Sequence, residues 1–366
     1  MIKKSNIFKN LLKKYLPTFV ILILSITLKF IYKNLIYNQK LIDYLYFTKF
    51  NFKYFFIKFF IIHKKYKLID CNLILIGQVQ RSGGTLLNQL FDDHYEIFSY
   101  PSELILRKPK SQWYNGNFNY SPLVDRVLRE SIKNKNFSKG SNKSEKINNK
   151  NRFIFNPYLQ KYIYNKLKNN NLRNNFNAYF TSFFNSFENY SSNYNNKKYV
   201  VTHLPKFIFF EKNINLFFQI YPEGYIISII RDPLTWIRSA KNVGKKSFNI
   251  ELNELLKIWE KNFDNSFKFK TLFKNRIILI NFNHLINKTE DTIKLICRKI
   301  NIKYDDVLLT PTFNGKSLYS NSSFKSSKGK IDNNVINDFN LEKIKSKLET
   351  KNLTRCLKKF NDAEFS

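Results

Sequence analysis

Cysteine is scarce in this 366-residue chain: Cys71, Cys297 and Cys356 are odd in number and far apart. That excludes a disulfide framework and a cysteine zinc cluster. Four histidines give little material for a histidine-rich metal site. Acidic residues are few, 27 against 62 Lys and Arg, for a formal net charge of +35. At face value such an excess points to nucleic acid, phospholipid or an acidic substrate. Asn, Ile, Phe and Tyr are abundant alongside Lys, and Gly and Pro number only nine each. All five abundant residues have A/T-rich codons, so the charge is partly a compositional background and no nucleic-acid partner is expected from it. With 43% hydrophobic and 17% aromatic residues there is ample material for a core, and a wholly disordered or collagen-like chain is excluded. At about 100–200 residues per domain, the length allows one large domain with attachments, or two domains.

Long uncharged runs are lacking too. Residues 15–28 (YLPTFVILILSITL) carry no charge, but a bilayer core needs about 20 residues. If Lys29 and Lys33 snorkel, the apolar span extends to Tyr37. No small-residue cleavage site of a signal peptide follows. Residues 41–62 mix aromatics with Lys49, Lys53 and Lys58, as an interfacial helix does. Residues 1–69 therefore read as a basic and hydrophobic membrane-attachment region, with a single-pass or hairpin anchor in 15–62 that contacts membrane lipid. Lysines flank both ends of the first span, so the side of the membrane stays open.

Beyond residue 70 the chain reads as one domain, 70–366, with a variable insertion at about 104–198. Four short apolar runs each precede a turn and a helical pattern: 72–77 (NLILIG), 199–202 (YVVT), 225–230 (YIISII) and 276–282 (RIILINF). Strand-turn-helix units in series predict an α/β fold, a P-loop-like parallel sheet flanked by helices. Residues 251–273 read as a longer helix burying Leu252, Leu255, Leu256, Trp259 and Phe263. The Asn/Lys-rich segments 131–151 and 166–177 read as solvated insertions or helices joined by loops, not core, and 189–198 as a polar connector.

The most informative stretch follows the first strand: Gly77-Gln-Val-Gln-Arg81-Ser82-Gly83-Gly84-Thr85-Leu86-Leu87. A buried strand delivers the chain to a turn with two glycines, whose backbone N–H groups have no Cβ to block close approach of an anion. Arg81 adds a permanent charge with a bidentate geometry for phosphate or sulfate. Five residues separate Gly77 from Gly83 and no Lys follows, so the Walker A spacing is not met.

This stretch, continued as NQLFDDHYEIF, resembles the 5′-phosphosulfate loop of the sulfotransferases that use PAPS (3′-phosphoadenosine 5′-phosphosulfate). In that family an R/K-S-G-T-T-like loop is followed by a helix and a D-x-H-P-E-I segment. Asp92 or Asp93, His94, Glu96 and Ile97 stand at the matching places, Tyr95 replaces the Pro, and Gly84 replaces the first Thr. The resemblance implies PAPS as co-substrate, held by Arg81, Ser82, Gly83, Gly84, Thr85 and Leu86, with no metal. Arg231-Asp-Pro followed by Ser239 resembles the family's R-D-P-x(5)-S element, whose Arg and Ser hold the 3′-phosphate. Two helical turns would separate those residues, so the RDP turn must fold Arg231 back.

Thr202-His203-Leu204-Pro205 is similar to the K-T-H-L-P segment of the cytosolic sulfotransferases, whose His is the catalytic base. Val201 stands where that segment has Lys, and Lys206 substitutes for it only if the loop bends differently. An ordinary His pKa suits proton removal from a hydroxyl at neutral pH. Glu103 resembles the glutamate base of tyrosylprotein-type and some carbohydrate sulfotransferases, and both candidates stand, His203 ranked ahead. Residues 280–293 resemble a further strand and helix of the family, with Asn283 in place of an acid. Pro311-Thr-Phe-Asn-Gly315 and 320–324 (SNSSF) resemble a P-T-x-N-G…N-S-S-F segment, which implies that Ser322 and Ser323 close over the nucleotide phosphates.

The resemblance covers about residues 70–330 and implies sulfuryl transfer from PAPS to a hydroxyl or amine. The acceptor, whether glycan, lipid, peptide or small alcohol, cannot be read from the chain. Two other functions remain open at this point: a P-loop nucleoside or nucleotide kinase, and a non-catalytic basic protein that binds membranes or nucleic acid.

Overall fold

The computed structural model describes residues 65–104, 156–187, 190, 194–242, 248–317, 329–331 and 341–365. A five-stranded sheet forms its centre, in the order β2-β3-β1-β4-β5. The strands are β1 (Asn72–Ile76), β2 (Ile97–Glu103), β3 (Tyr199–His203), β4 (Tyr225–Ile230) and β5 (Ile277–Asn281). Every pairing is parallel. Side chains alternate along a strand, and here both faces are buried, so the strands read as near-continuous apolar runs. Leu73 and Leu75 of β1 enter one core, and Ile74 and Ile76 enter the other.

Helices cover both faces. The core containing Ile74 and Ile76 is closed by α1 (Gly84–Leu90) and, later in the chain, by the helices Phe282–Asn287 and Thr289–Lys299. Opposite, α2 (Pro157–Leu167), α3 (Leu172–Ser186) and α4 (Glu211–Ile220) pack on Leu73 and Leu75. A third cluster joins α5 (Pro233–Lys241) and α6 (Leu252–Phe273) to the carboxyl-terminal helix Thr350–Asn361. We number Phe282–Asn287 α7, Thr289–Lys299 α8, the short Leu341–Lys345 α9 and Thr350–Asn361 α10; Thr312–Phe313 and Lys316–Ser317 form the hairpin β6–β7.

The four apolar runs are the strands β1, β3, β4 and β5. The fifth strand, β2, falls outside the expected units because Pro101 and three polar residues interrupt IFSYPSE. Its register against β3 shifts between Ser99 and Glu103, so Tyr100, Pro101 and Ser102 are accommodated in an irregularity. Such an irregularity tolerates a residue without an N–H, and it ends with Glu103 back in register opposite His203.

The segment 166–177 is made of helices joined by a loop: the end of α2, the exposed linker 168–171 and the first turns of α3, with only Phe176 and Asn177 of it buried. Beyond it lies the buried aromatic face of α3, with Tyr179, Phe180, Phe183 and Phe184. The Asn side chains at its start are used locally: Asn171 caps the helix by accepting from Asn174 N. Among the described residues no helix is long and apolar enough to cross a membrane. The expected attachment stretch, 15–62, and the insertion 131–151 lie outside the described residues, as do Ser322 and Ser323.

Candidate functional site

Parallel strands all point their carboxyl ends to one edge, the edge at which open α/β sheets bind ligands. The loop after β1 lies at that edge and is pinned from several sides. Val79 N donates to Asn262 Oδ1 of α6 (2.9 Å) and Lys206 N to Gln78 O (2.8 Å). Trp236 Nε1 of α5 donates to Gln80 O (2.8 Å). Val79 is itself buried in the α5–α6 cluster.

Two residues of the loop have left-handed backbones, Arg81 at φ 72° and Gly83 at φ 93°. At Gly83 a side chain is excluded twice over, by conformation and by the Phe282 ring 2.7 Å from where its Cβ would be. Phe282, at the start of α7, also lies 4.5 Å beneath the Arg231 guanidinium, a cation–π contact. One aromatic ring thus floors both the loop and the arginine.

The local chemistry of Arg231-Asp-Pro is a helix start. Asp232 accepts from Thr235 N (2.9 Å) as N-cap of α5, and Pro233 takes the first helical position. This leaves Arg231 at the end of β4, where Trp259 Nε1 fixes its carbonyl (2.7 Å). Its Nε donates to Thr235 Oγ1 (3.1 Å), and its Nη1 to Arg81 O (3.4 Å). Arg81 in turn donates through Nε to Ser239 Oγ (3.3 Å), two turns along α5. The structure therefore brings Arg81, Arg231 and Ser239 into one cluster.

That cluster carries excess positive charge. Burial pulls the Arg81 pKa below the ordinary arginine range. Burial also pushes Arg231 down to about 9, with the guanidiniums of Arg238 and Arg81 adding to it. Asp232 opposes this, but its carboxylate is already engaged in capping α5. Nearby, Ser82 is 1% exposed and its Oγ has no hydrogen-bond partner among the described residues. Clustered cations, a side-chain-free turn and an unsatisfied buried hydroxyl are the donor set that a phosphate or sulfate ester needs, and the residues present fit the phosphates of PAPS. Of the remaining loop residues, Thr85 is half-buried and Leu86 packs on the α1 core, so Leu86 can offer only its backbone.

His203 and Glu103 end neighbouring strands and are register partners, and Ile76, just before the loop, pairs with His203 from the other side. Register partners in a parallel sheet share a face, so His203 lies on the α1 side with Ile76. His203 is 5% exposed and Glu103 half-buried. Both candidate bases therefore stand at the same end of the sheet as the loop. Lys206 follows in a left-handed turn (φ 69°) that brings its backbone to Gln78. Val201, in the place of a family Lys, is wholly buried in the core.

The Asp92–Glu96 segment turns out to be a clasp. Asp92 Oδ2 accepts from Thr312 Oγ1 (2.9 Å) and Gly315 N (3.0 Å), which fixes the β6–β7 hairpin. His94 Nε2 donates to Lys303 O (3.0 Å) while its Nδ1 accepts from Glu96 N (3.2 Å), a pattern only the neutral ring satisfies. Glu96 Oε2 accepts from Lys303 N (2.7 Å). The residues sequence reasoning missed are the supports, Trp236, Asn262, Phe282 and the indole of Trp259. Each acts across a long sequence separation that no local motif records.

An α/β domain with a cationic, glycine-bearing loop after its central strand and an arginine at the end of the next defines a protein built to hold phosphate or sulfate esters. A sequence model described as "Sulfotransferase family" matches residues 74–306, well over half of the chain, and the chain belongs to that family. It is accordingly an enzyme of the PAPS-dependent sulfotransferase class. No curated protein matches it significantly. Among solved structures it is similar to the "Sulfotransferase Domain from the Synechococcus PCC 7002 Olefin Synthase", at 14% identity and TM-score 0.45, over 83% of this chain and all of that one. The "Sulfotransferase Domain from the Curacin Biosynthetic Pathway" is similar at 18% identity and TM-score 0.45, over 81% of this chain and 99% of that one. A sulfotransferase from Alicyclobacillus acidocaldarius is similar at 10% identity and TM-score 0.41, over 81% of this chain and 98% of that one.

Proposed function

We propose that the chain transfers a sulfuryl group from PAPS to a hydroxyl or amine of an acceptor such as a glycan or lipid, and that residues 1–69 attach the catalytic domain 70–366 to a membrane. The observation that carries the donor assignment is the contact chain Arg231 to Arg81 O and Arg81 to Ser239, which unites two separate sequence elements in one cationic cluster. Bound PAPS supplies the activated sulfuryl group. Arg81 and the amides of residues 82–86 hold the negative charge of the transferring end and stabilise its increase by preorganised electrostatics. Arg231 and Ser239 hold the 3′-phosphate that sets PAPS apart from ATP. His203 or Glu103 takes the acceptor proton, and their placement side by side supports either role.

Thermal unfolding with adenosine 3′,5′-bisphosphate, compared with ATP and Mg²⁺, tests the donor assignment. A selective upward shift with the bisphosphate is expected, since a ligand that binds only the folded state stabilises it. A shift with ATP and Mg²⁺ alone would favour a nucleotide kinase, and no shift with either would favour a non-catalytic basic protein. Flotation of the full chain with liposomes, against a chain lacking residues 1–69, tests the attachment. Equal flotation of both would refute it.

A further inference from the structure

We infer that Gln78 is an additional binding residue of the donor loop, supplying from the end of β1 the polar contact that residue 84, a glycine, has no side chain to make. The inference rests on the reading of the loop as a PAPS cradle.

Gln78 lies two residues beyond β1, is 2% exposed, and is held by its backbone carbonyl to Lys206 N. Its side chain folds across the turn to Gly84: a Cβ built on Gly84 would collide with Gln78 Nε2 and lie 2.7 Å from its amide carbon. The carboxamide therefore fills the space from which a side chain on residue 84 would grow. Its Oε1 has no hydrogen-bond partner among the described residues. A buried amide oxygen without a partner costs free energy comparable to a lost hydrogen bond and marks a position kept for something other than stability. The NH₂ of the same carboxamide, the end turned to Gly84, is the donor the turn receives.

The surroundings say which ligand. The same turn holds the Ser82 hydroxyl, also buried and without a partner among the described residues, and the Arg81 guanidinium. Both are donors, and a carboxamide can present its NH₂ to the same oxyanion. Gln78 and Gly84 then form a complementary pair, in which a long donor from position 78 requires the absence of a side chain at 84. The ligand group it addresses is the 5′-phosphate end of the donor, not the 3′-phosphate, which falls to Arg231 and Ser239.

Isothermal titration of three ligands with four proteins tests this. The proteins are the wild type, Gln78→Ala, Gly84→Thr and the double variant. The ligands are adenosine 3′,5′-bisphosphate, adenosine 5′-monophosphate and adenosine 3′-monophosphate. Gln78→Ala is expected to weaken the two ligands bearing a 5′-phosphate about tenfold, as for a hydrogen bond to a charged group, and to leave the 3′-monophosphate unchanged. Gly84→Thr alone is expected to lose 5′-phosphate binding through the clash, and adding Gln78→Ala is expected to restore it. Equal weakening of all three ligands by Gln78→Ala would make the residue merely structural and overturn the inference. So would a double variant no better than Gly84→Thr. Wild-type protein that binds none of the ligands refutes the cradle itself, an outcome distinct from either.

Discussion

Arg231→Met removes a buried charge but retains a straight, apolar side chain over the Phe282 ring. In the ligand-free protein the guanidinium is an electrostatic burden. Its pKa falls from 12.5 to about 9, because of burial first and then the charges of Arg238 and Arg81. A depressed base is penalised in its charged form, so the penalty is fully present below about pH 9 and fades only toward the ordinary arginine range. At about 1.4 kcal/mol per pKa unit the ceiling is roughly 5 kcal/mol. Against this, the substitution loses the bonds to Thr235 Oγ1 and Arg81 O, at about 1 kcal/mol each. A further discount for the lost cation–π contact with Phe282 and for relaxation leaves a net gain of about 1–2 kcal/mol, or an unfolding midpoint raised by about 2–3 °C in a domain of this size.

The same variant is expected to bind adenosine 3′,5′-bisphosphate at least about 100-fold more weakly, since truncating one partner of a buried ion pair costs several kcal/mol. Differential scanning fluorimetry with and without the bisphosphate reads both effects in one experiment. Added sulfate provides a control, because it should stabilise the wild type more than the variant. An Arg231→Met protein that melts lower than wild type without ligand would refute the reasoning, for it would make Arg231 a strut of the fold.

Three other substitutions probe the neighbouring groups. Arg81→Ala is expected to leave the protein folded and to cut turnover by about 100-fold or more, as for loss of one preorganised donor at a developing charge; release of adenosine 3′,5′-bisphosphate from PAPS measures it, and normal turnover removes Arg81 from the mechanism. His203→Gln and Glu103→Gln separate the two candidate bases: the true base loses about 100- to 10,000-fold in turnover with bisphosphate affinity intact, and full activity in both variants eliminates both. Asp92→Asn addresses the hairpin clasp. Burial lifts the Asp92 pKa from 3.8 to about 6, so its contribution favours the fold most below pH 4 and is lost as pH rises through 6. Asn keeps an acceptor for Thr312 and Gly315 without the charge. Its unfolding midpoint at pH 7.5 is expected to exceed that of the wild type, and an unchanged pH dependence between 4 and 7 would dismiss the linkage.

What could be read from the chain divides by the range of the forces involved. Strands buried on both faces show as unbroken apolar runs, so β1, β3, β4 and β5 were visible as such. β2 was hidden because its bulge admits Pro101 and polar residues, which imitate a loop. The asparagines of the first turn of α3 left its start ambiguous between insertion and helix, although Phe176, Tyr179, Phe180, Phe183 and Phe184 keep a helical spacing. In the site, Arg81 was legible from the glycine turn after β1, and Arg231 and Ser239 from the resemblance to a family motif; what the structure adds is that the three lie in one cluster. Trp236, Asn262 and Phe282 were not, since their contacts with the loop depend on how distant elements pack. The Gln78–Gly84 pair spans six residues, but a missing Cβ leaves no sign of which neighbour fills its place.

The order of the strands has a kinetic consequence. Strand β1 sits in the middle of the sheet, yet Asn72 meets its partner Tyr199 127 residues later, and Ile74 meets Tyr225 151 residues later. A growing chain emerging from the ribosome therefore exposes NLILI with both edges unpaired until β3 is made, nearly halfway through the domain, and with one edge unpaired until β4 follows. Loop closure over such separations slows folding and leaves a sticky intermediate. Recombinant production is expected to improve when translation is slowed or holding chaperones are supplied, because the waiting time is built into the topology.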